Sequence, residues 1–320
     1  MHLTTLAHAI RRWCEPRLVA AVSEEGLDMG EHTRARLGEP RHTTRAGCRI
    51  GYQVSGTGGP VILLFSAWQI VHSAAWRAQV PALSQHARVI TVDCIGSGRS
   101  DRPEETARYH PFELVADTLA VLDAENARIC LVGGFSYGGH LAALTAARHP
   151  DRVCGAMLLA PSAPFGPSNP ALTTENFTAR REAPAGWQKY NLHFWRSNYA
   201  DFAAFFMREV FPSPRSEHLI DEGVTWAGHT DAETLIRTII ARRDTDGQDE
   251  TTYRTIRCPV LVIQGEKDEY ATRAQVDAIA SSVSGAVRSL LLPGLGHFPH
   301  REDPGRVLAE TERFLQDSGA

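Results

Sequence analysis

Residues 129–144 read Ile129-Cys130-Leu131-Val132-Gly133-Gly134-Phe135-Ser136-Tyr137-Gly138-Gly139-His140-Leu141-Ala142-Ala143-Leu144. The apolar run that opens the stretch predicts a buried strand, and the apolar-periodic run after Ser136 predicts a helix. Between them Gly134-Phe135-Ser136-Tyr137-Gly138 has the form Gly-x-Ser-x-Gly. At a strand-to-helix junction that form describes a turn so tight that small residues must flank the serine, and the turn lifts its hydroxyl clear of the backbone. Composition alone produces such a pentapeptide in roughly one of eight or nine chains of this length. Its flanking elements and two later partners make it specific.

Working outward, the same alternation repeats. Residues 61–65, 88–92, 129–132, 153–159, 259–263 and 287–292 read as strands, most of them continuously apolar. Helical patterns follow at 76–85, 111–124, 137–148, 273–282 and 305–316. Two short β-like runs around Thr43 and at 49–54 predict an opening hairpin. Continuously apolar strands alternating with helices imply an α/β protein, a mostly parallel sheet flanked by helices. The alternation stops near Pro164 and resumes at Pro259. The segment 165–249 reads as an inserted α-helical cap and holds 12 of the chain's 25 aromatic residues. The expected organisation is a helical N-terminal extension over 1–40, a core over 41–164 and 250–320, and the cap over 165–249. In the extension, Leu3, Leu6, Ile10 and Trp13 share a helical face until Pro16, which suits packing on this domain or on a second copy in a homodimer.

A serine hydroxyl needs a base to remove its proton as it attacks. Two segments at predicted strand ends offer partners: Gly265-Glu266-Lys267-Asp268 after 261–264, and Gly294-Leu295-Gly296-His297-Phe298-Pro299 after 287–292. Asp268 could instead cap the next helix, with Glu266 or Glu269 as the acid. His297 could group with His300, Glu302 and Asp303 around a metal, although that loop lacks the spacing and distant ligands of such sites. The three strand-end residues Ser136, Asp268 and His297 form the preferred set.

The balance of 43% hydrophobic and 22% charged residues is that of a globular protein, and the net charge of −4 provides no basic field for nucleic acid. No apolar run approaches the roughly 18 residues of a membrane span. The N-terminus has its arginines after the apolar stretch, opposite to a secretory signal. Six scattered cysteines without a CxxC pair suit a reducing compartment, so a cytoplasmic location is expected.

Over residues 45–318 the chain resembles the α/β-hydrolase superfamily with a helical cap, whose order of nucleophile, acid and base matches Ser136, Asp268, His297. Asp93-Cys94-Ile95-Gly96-Ser97-Gly98-Arg99-Ser100-Asp101 is similar to the family's D-x-R-G-x-G-x-S-D loop, with Ile95 in place of arginine. Gly296-His297-Phe298-Pro299 with Glu302 is similar to its G-H-x-P-x-x-E ending. Residues 68–81, with Lys189-Tyr190-Asn191, are similar to uncharacterised actinobacterial-type hydrolases. The family's His-Gly after the third strand is here Phe65-Ser66, followed by Ala67-Trp68-Gln69.

By resemblance, the backbone N–H groups of Ala67 and Tyr137 form an oxyanion hole. The resemblance implies a serine hydrolase acting on a carboxylic ester, thioester or lactone with an apolar portion, through an acyl-enzyme and without metal or organic cofactor. Tyr137, Trp68, His193 and Trp195 are the candidates for lining the small-molecule pocket. The alternatives are acyl transfer, cyclisation or C–C bond hydrolysis with the same three residues, or a non-catalytic ligand-binding protein on the same fold. Epoxide hydrolases and haloalkane dehalogenases are disfavoured, because those relatives carry aspartate where this chain has Ser136.

Overall fold

The computed structural model describes residues 38–212 and 216–319. The amphipathic segment expected at Leu3 to Trp13 lies outside them. Strands β1 (Glu39–Arg45), β2 (Cys48–Ser55), β3 (Val61–Phe65), β4 (Arg88–Val92), β5 (Cys130–Phe135), β6 (Val153–Leu159), β7 (Val260–Gly265) and β8 (Val287–Leu292) form one sheet, ordered β1-β2-β4-β3-β5-β6-β7-β8. β2 runs antiparallel to both β1 and β4, and β3 through β8 are mutually parallel. The hairpin β1–β2 turns at Ala46 and Gly47, both with positive φ (47° and 76°), as a two-residue turn matched to strand twist requires.

Helices α1 (Pro111–Ala124), α2 (Tyr137–Arg148), α3 (Leu192–Val210), α4 (Glu217–Ala227), α5 (Ala232–Ala241), α6 (Arg273–Ser282) and α7 (Pro304–Gly319) flank the sheet or fill the segment between β6 and β7. The start of α1 follows from its sequence: Pro111 occupies the first turn, where its missing N–H costs nothing, and the His110 ring accepts from Phe112 N–H. β3 and β5 are buried along their whole length, as strands covered on both faces must be.

The expected helix over 76–85 is instead a 3₁₀ turn at Ser73–Trp76 and a four-residue helix, Val80–Leu83. Pro81 explains the break, since it has no N–H to donate and its ring collides with a helical carbonyl four residues earlier. Ser73 N–H donates to Asp93 and Trp76 Nε1 to the carbonyl of Phe65, which ties this segment to the ends of β4 and β3.

β3 lies between β4 and β5, so the chain leaves β3 in one direction across the sheet and returns on its other side. Beyond the carboxyl ends of such neighbouring strands a crevice opens in which parallel sheets hold ligands. The helical segment between β6 and β7 is anchored there through Trp68. Its ring contacts Tyr190, Trp195, Phe202 and Phe206 at centroid distances of 5.5–6.4 Å, and its Nε1 donates to Thr238 Oγ1 at 2.7 Å.

Candidate active site

The junction of β5 and α2 is built around one strained residue. Ser136 has φ 56° and ψ −119°, a conformation that costs a non-glycine residue about 1–3 kcal/mol and persists only where its surroundings enforce it. Here Ser136 N–H donates to Leu159 O, while its own carbonyl accepts from Gly139 and Ser162. The flanking glycines are demanded by close approach. A Cβ on Gly134 would stand 2.0 Å from Gly138 O, and one on Gly138 only 1.8 Å from Ser66 O.

Three strand ends converge on this serine. His297 Nε2 lies 2.9 Å from Ser136 Oγ, and His297 Nδ1 lies 2.8 Å from Asp268 Oδ2. The second Asp268 oxygen accepts from Tyr270 N–H and Ala271 N–H, each at 2.9 Å, which fixes the carboxylate's orientation. All three side chains are buried. The other candidate acids are used elsewhere or stand exposed: Glu266 accepts from Gly294 N–H, and Glu269 lies on the surface.

His300 sits among aromatic rings. Its ring packs 4.8 Å from Trp76 and 4.7 Å from Phe135, neither ring nitrogen has a partner among the described residues, and burial holds it neutral, far below its usual pKa. Glu302 accepts from Gly296 N–H and so braces the loop before His297, while burial raises its carboxyl pKa. Among the described residues no group of three or more His, Cys, Asp or Glu side chains could hold a metal ion.

Tyr137 is the first residue of α2, so its N–H is one of the helix's orphan donors. Ala67 is the second residue after β3, and its N–H donates to no backbone carbonyl among the described residues. The unusual Phe65-Ser66-Ala67-Trp68 loop is held at both ends, by Trp76 Nε1 on the Phe65 carbonyl and by Trp68 Nε1 on Thr238. The Asp93 loop is a brace. Asp93 accepts from Ser73 N–H and Arg99 N–H, Ser100 Oγ accepts from Gly51 N–H, and Ile95 is fully buried where the resemblance has arginine.

A cavity of about 270 Å³ lies next to this turn, with neither Ser136 nor His297 in its lining. Tyr137 lines it, as does Tyr270, whose ring is 4.8 Å from that of His297. His140, Ser162, Tyr190, Arg242 and Gln248 line it as well. Three pocket residues expected from the sequence are absent from this lining. Trp68 and Trp195 are buried in the aromatic core of the insert, where Trp195 Nε1 donates to Lys189 O, and His193 sits half-buried in the first turn of α3. Stacked rings bury more apolar area against one another than against a hydrated cavity, so the aromatic excess serves the insert's core.

His140, Arg242, Gln248 and Tyr270 escaped the sequence reading. His140 sits on an apolar helix, and Arg242-Arg243-Asp244 looks like an ordinary solvated helix end. His140 hydrogen-bonds Tyr253 Oη (2.7 Å) and Gln248 Oε1 (2.9 Å), and burial lowers its pKa to about 4. No helix among the described residues is long and apolar enough to cross a membrane.

The profile described as "Alpha/beta hydrolase family" matches residues 56–311. Epoxide hydrolase A of Mycobacterium tuberculosis is 28% identical over 302 residues, covering 81% of this chain and 91% of that protein. The pimeloyl-[acyl-carrier protein] methyl ester esterase of Aeromonas hydrophila is 26% identical over 265 residues, covering 80% and 96%. A hydrolase from Pseudomonas aeruginosa PA01 superposes with a TM-score of 0.72 at 26% identity, covering 88% and 99%. Sheet order, strand-end serine and sequence profile agree: the chain belongs to the alpha/beta hydrolase family.

Proposed function

We propose that the chain is a serine hydrolase that cleaves a carboxylic ester, thioester or lactone through an acyl-enzyme. The observation that carries this reading is the continuous hydrogen-bonded chain from Ser136 Oγ through His297 to Asp268, at 2.9 and 2.8 Å, on a backbone turn held in a strained conformation. Ser136 Oγ attacks the carbonyl carbon while His297 Nε2 takes its proton. Asp268 orients the imidazole and stabilises the imidazolium. The tetrahedral oxyanion is received by the N–H groups of Ala67 and Tyr137; losing one such donor costs about 2.7–4 kcal/mol of transition-state stabilisation. The bond from the carbonyl carbon to the leaving oxygen, or to sulfur in a thioester, then breaks, and His297 gives its proton to the leaving alkoxide or thiolate. Water, deprotonated by the same imidazole, resolves the acyl-serine and restores both residues. Among the relatives, the esterase from Aeromonas hydrophila supports an ester substrate.

Intact mass after fluorophosphonate treatment tests the reading. One adduct on the native chain and none on Ser136→Ala is the expected result. If Ser136 stays unlabelled and a panel of activated esters of graded chain length is untouched, the reading fails. For His297→Ala, kcat on an activated ester falls by several orders of magnitude, because residues that act as a unit lose together. A rise in KM with unchanged kcat would remove His297 from the role of base.

A further inference from the structure

The cavity lined by Tyr137 and Tyr270 also has Arg242 in its wall, a cation without a counter-ion among the described residues. Arg242 follows α5, and its guanidinium carbon stands 3.8 Å from the centroid of the Tyr137 ring and 5.5 Å from that of Trp68. Its Nε and Nη2 are shut off from solvent, and neither has a hydrogen-bond partner among the described residues. Among the described residues no carboxylate pairs with it and none lines the cavity. The nearest acid in sequence, Asp244, is directed to His110, 3.6 Å away.

A guanidinium with two nitrogens buried against the rings of Tyr137 and Trp68 is poorly compensated, since a cation–π contact replaces only part of its lost hydration. The phenolic oxygen of Tyr137, the ring on which Arg242 stacks, is likewise buried without a partner. His140 and Gln248, on the same wall, are satisfied by each other and by Tyr253 and Asp244 O. Of the residues lining this cavity, Arg242 and Tyr137 hold buried polar atoms without a partner among the described residues.

We propose that the substrate carries a carboxylate at the far end of a short acyl chain and that Arg242 receives it, while the ester carbonyl lies at Ser136. This rests on the hydrolase reading above and specifies its substrate. A planar guanidinium fork matches the two oxygens of a carboxylate. With no second cation in the lining, a doubly charged phosphate would be left half-compensated. The volume, near the small end of the roughly 300–1,000 Å³ range of ligand sites, suits a short chain. Tyr190, Tyr270 and Leu172 supply apolar walls for its methylenes.

Two measurements test this. The first compares mono-p-nitrophenyl glutarate with its methyl-capped neutral counterpart. The native protein is expected to favour the acid in kcat/KM by about ten- to a hundredfold, as a charge-assisted pair implies. Arg242→Gln brings that ratio to about 1, and Arg242→Lys restores part of it; fluorophosphonate labelling of Ser136 shows that each variant is folded. A native ratio at or below 1, or one unchanged in Arg242→Gln, overturns the proposal.

The second measurement uses Ser136→Ala, which cannot turn over, and titrates monomethyl glutarate against dimethyl glutarate by calorimetry. Binding of the acid at least tenfold tighter than the diester, lost on adding Arg242→Gln, supports the site even if no ester is hydrolysed, in which case only the hydrolase reading fails. Cleavage of both esters without charge preference, together with equal binding, sinks the carboxylate site and leaves the hydrolase reading standing.

Discussion

At Gly138 a single missing methyl group sets the position of two backbone segments. A Cβ there would press to 1.8 Å from Ser66 O, so Gly138→Ala must push the loop carrying Ala67 away from Ser136. We expect kcat/KM on an activated ester to fall about a hundredfold or more, with a thermal midpoint lower by about 5 °C or more. Gly305→Ala is the contrasting case, because no atom stands within 4 Å of its added Cβ; its activity and midpoint should match those of the native protein. A glycine's neighbours separate the two outcomes, and they are invisible in sequence except where a motif such as Gly-x-Ser-x-Gly names the glycine. Ser136, Asp268 and His297 were legible because each closes an apolar strand. Arg242 was not, because a helix-terminal arginine shows its lack of a counter-ion only once the chain around it is folded.

Among the elements, the loop after β3 joins the sheet to the helical insert. Trp68 buries its ring against Tyr190, Trp195, Phe202 and Phe206 and spends its one donor on Thr238. Trp68→Ala is expected to destabilise by about 3–5 kcal/mol in chemical denaturation, the usual cost of emptying a large aromatic site. Trp68→Phe keeps a ring and loses the hydrogen bond, for a cost near 1 kcal/mol. Equal stability of the alanine variant and the native protein would show that the insert holds its place without this anchor. The strands, α1, α2 and α6 follow from the periodicity of their own residues. The helix expected over 76–85 does not, because Pro81 and the tether of Trp76 to Phe65 O outweigh the apolar spacing.

Across the whole molecule, burial of histidines sets a pH response. His300 is held well below its usual 6.5 and His140 at about 4, both chiefly by burial. The unfolded chain therefore binds these protons first. Their contribution to stability is complete above about pH 6.5 and is lost as pH falls toward 4. Unfolding midpoints measured from pH 7 to pH 4.5 should decline steadily, and His300→Leu should reduce the slope by about one proton. It should also be tolerated at neutral pH, because neither ring nitrogen of His300 has a partner among the described residues to leave behind. An unchanged slope would place the response in other groups. Sequence by itself determined the parallel sheet, the turn at Ser136 and the three strand-end residues, since apolar periodicity and glycine spacing are local properties carried by each segment. Tertiary structure alone decided which aromatic residues of 165–249 fill the insert's own core, that Tyr190 lines the cavity, and that an unpaired guanidinium stands in its wall. Both depend on which distant side chains share one space, and no local pattern encodes that.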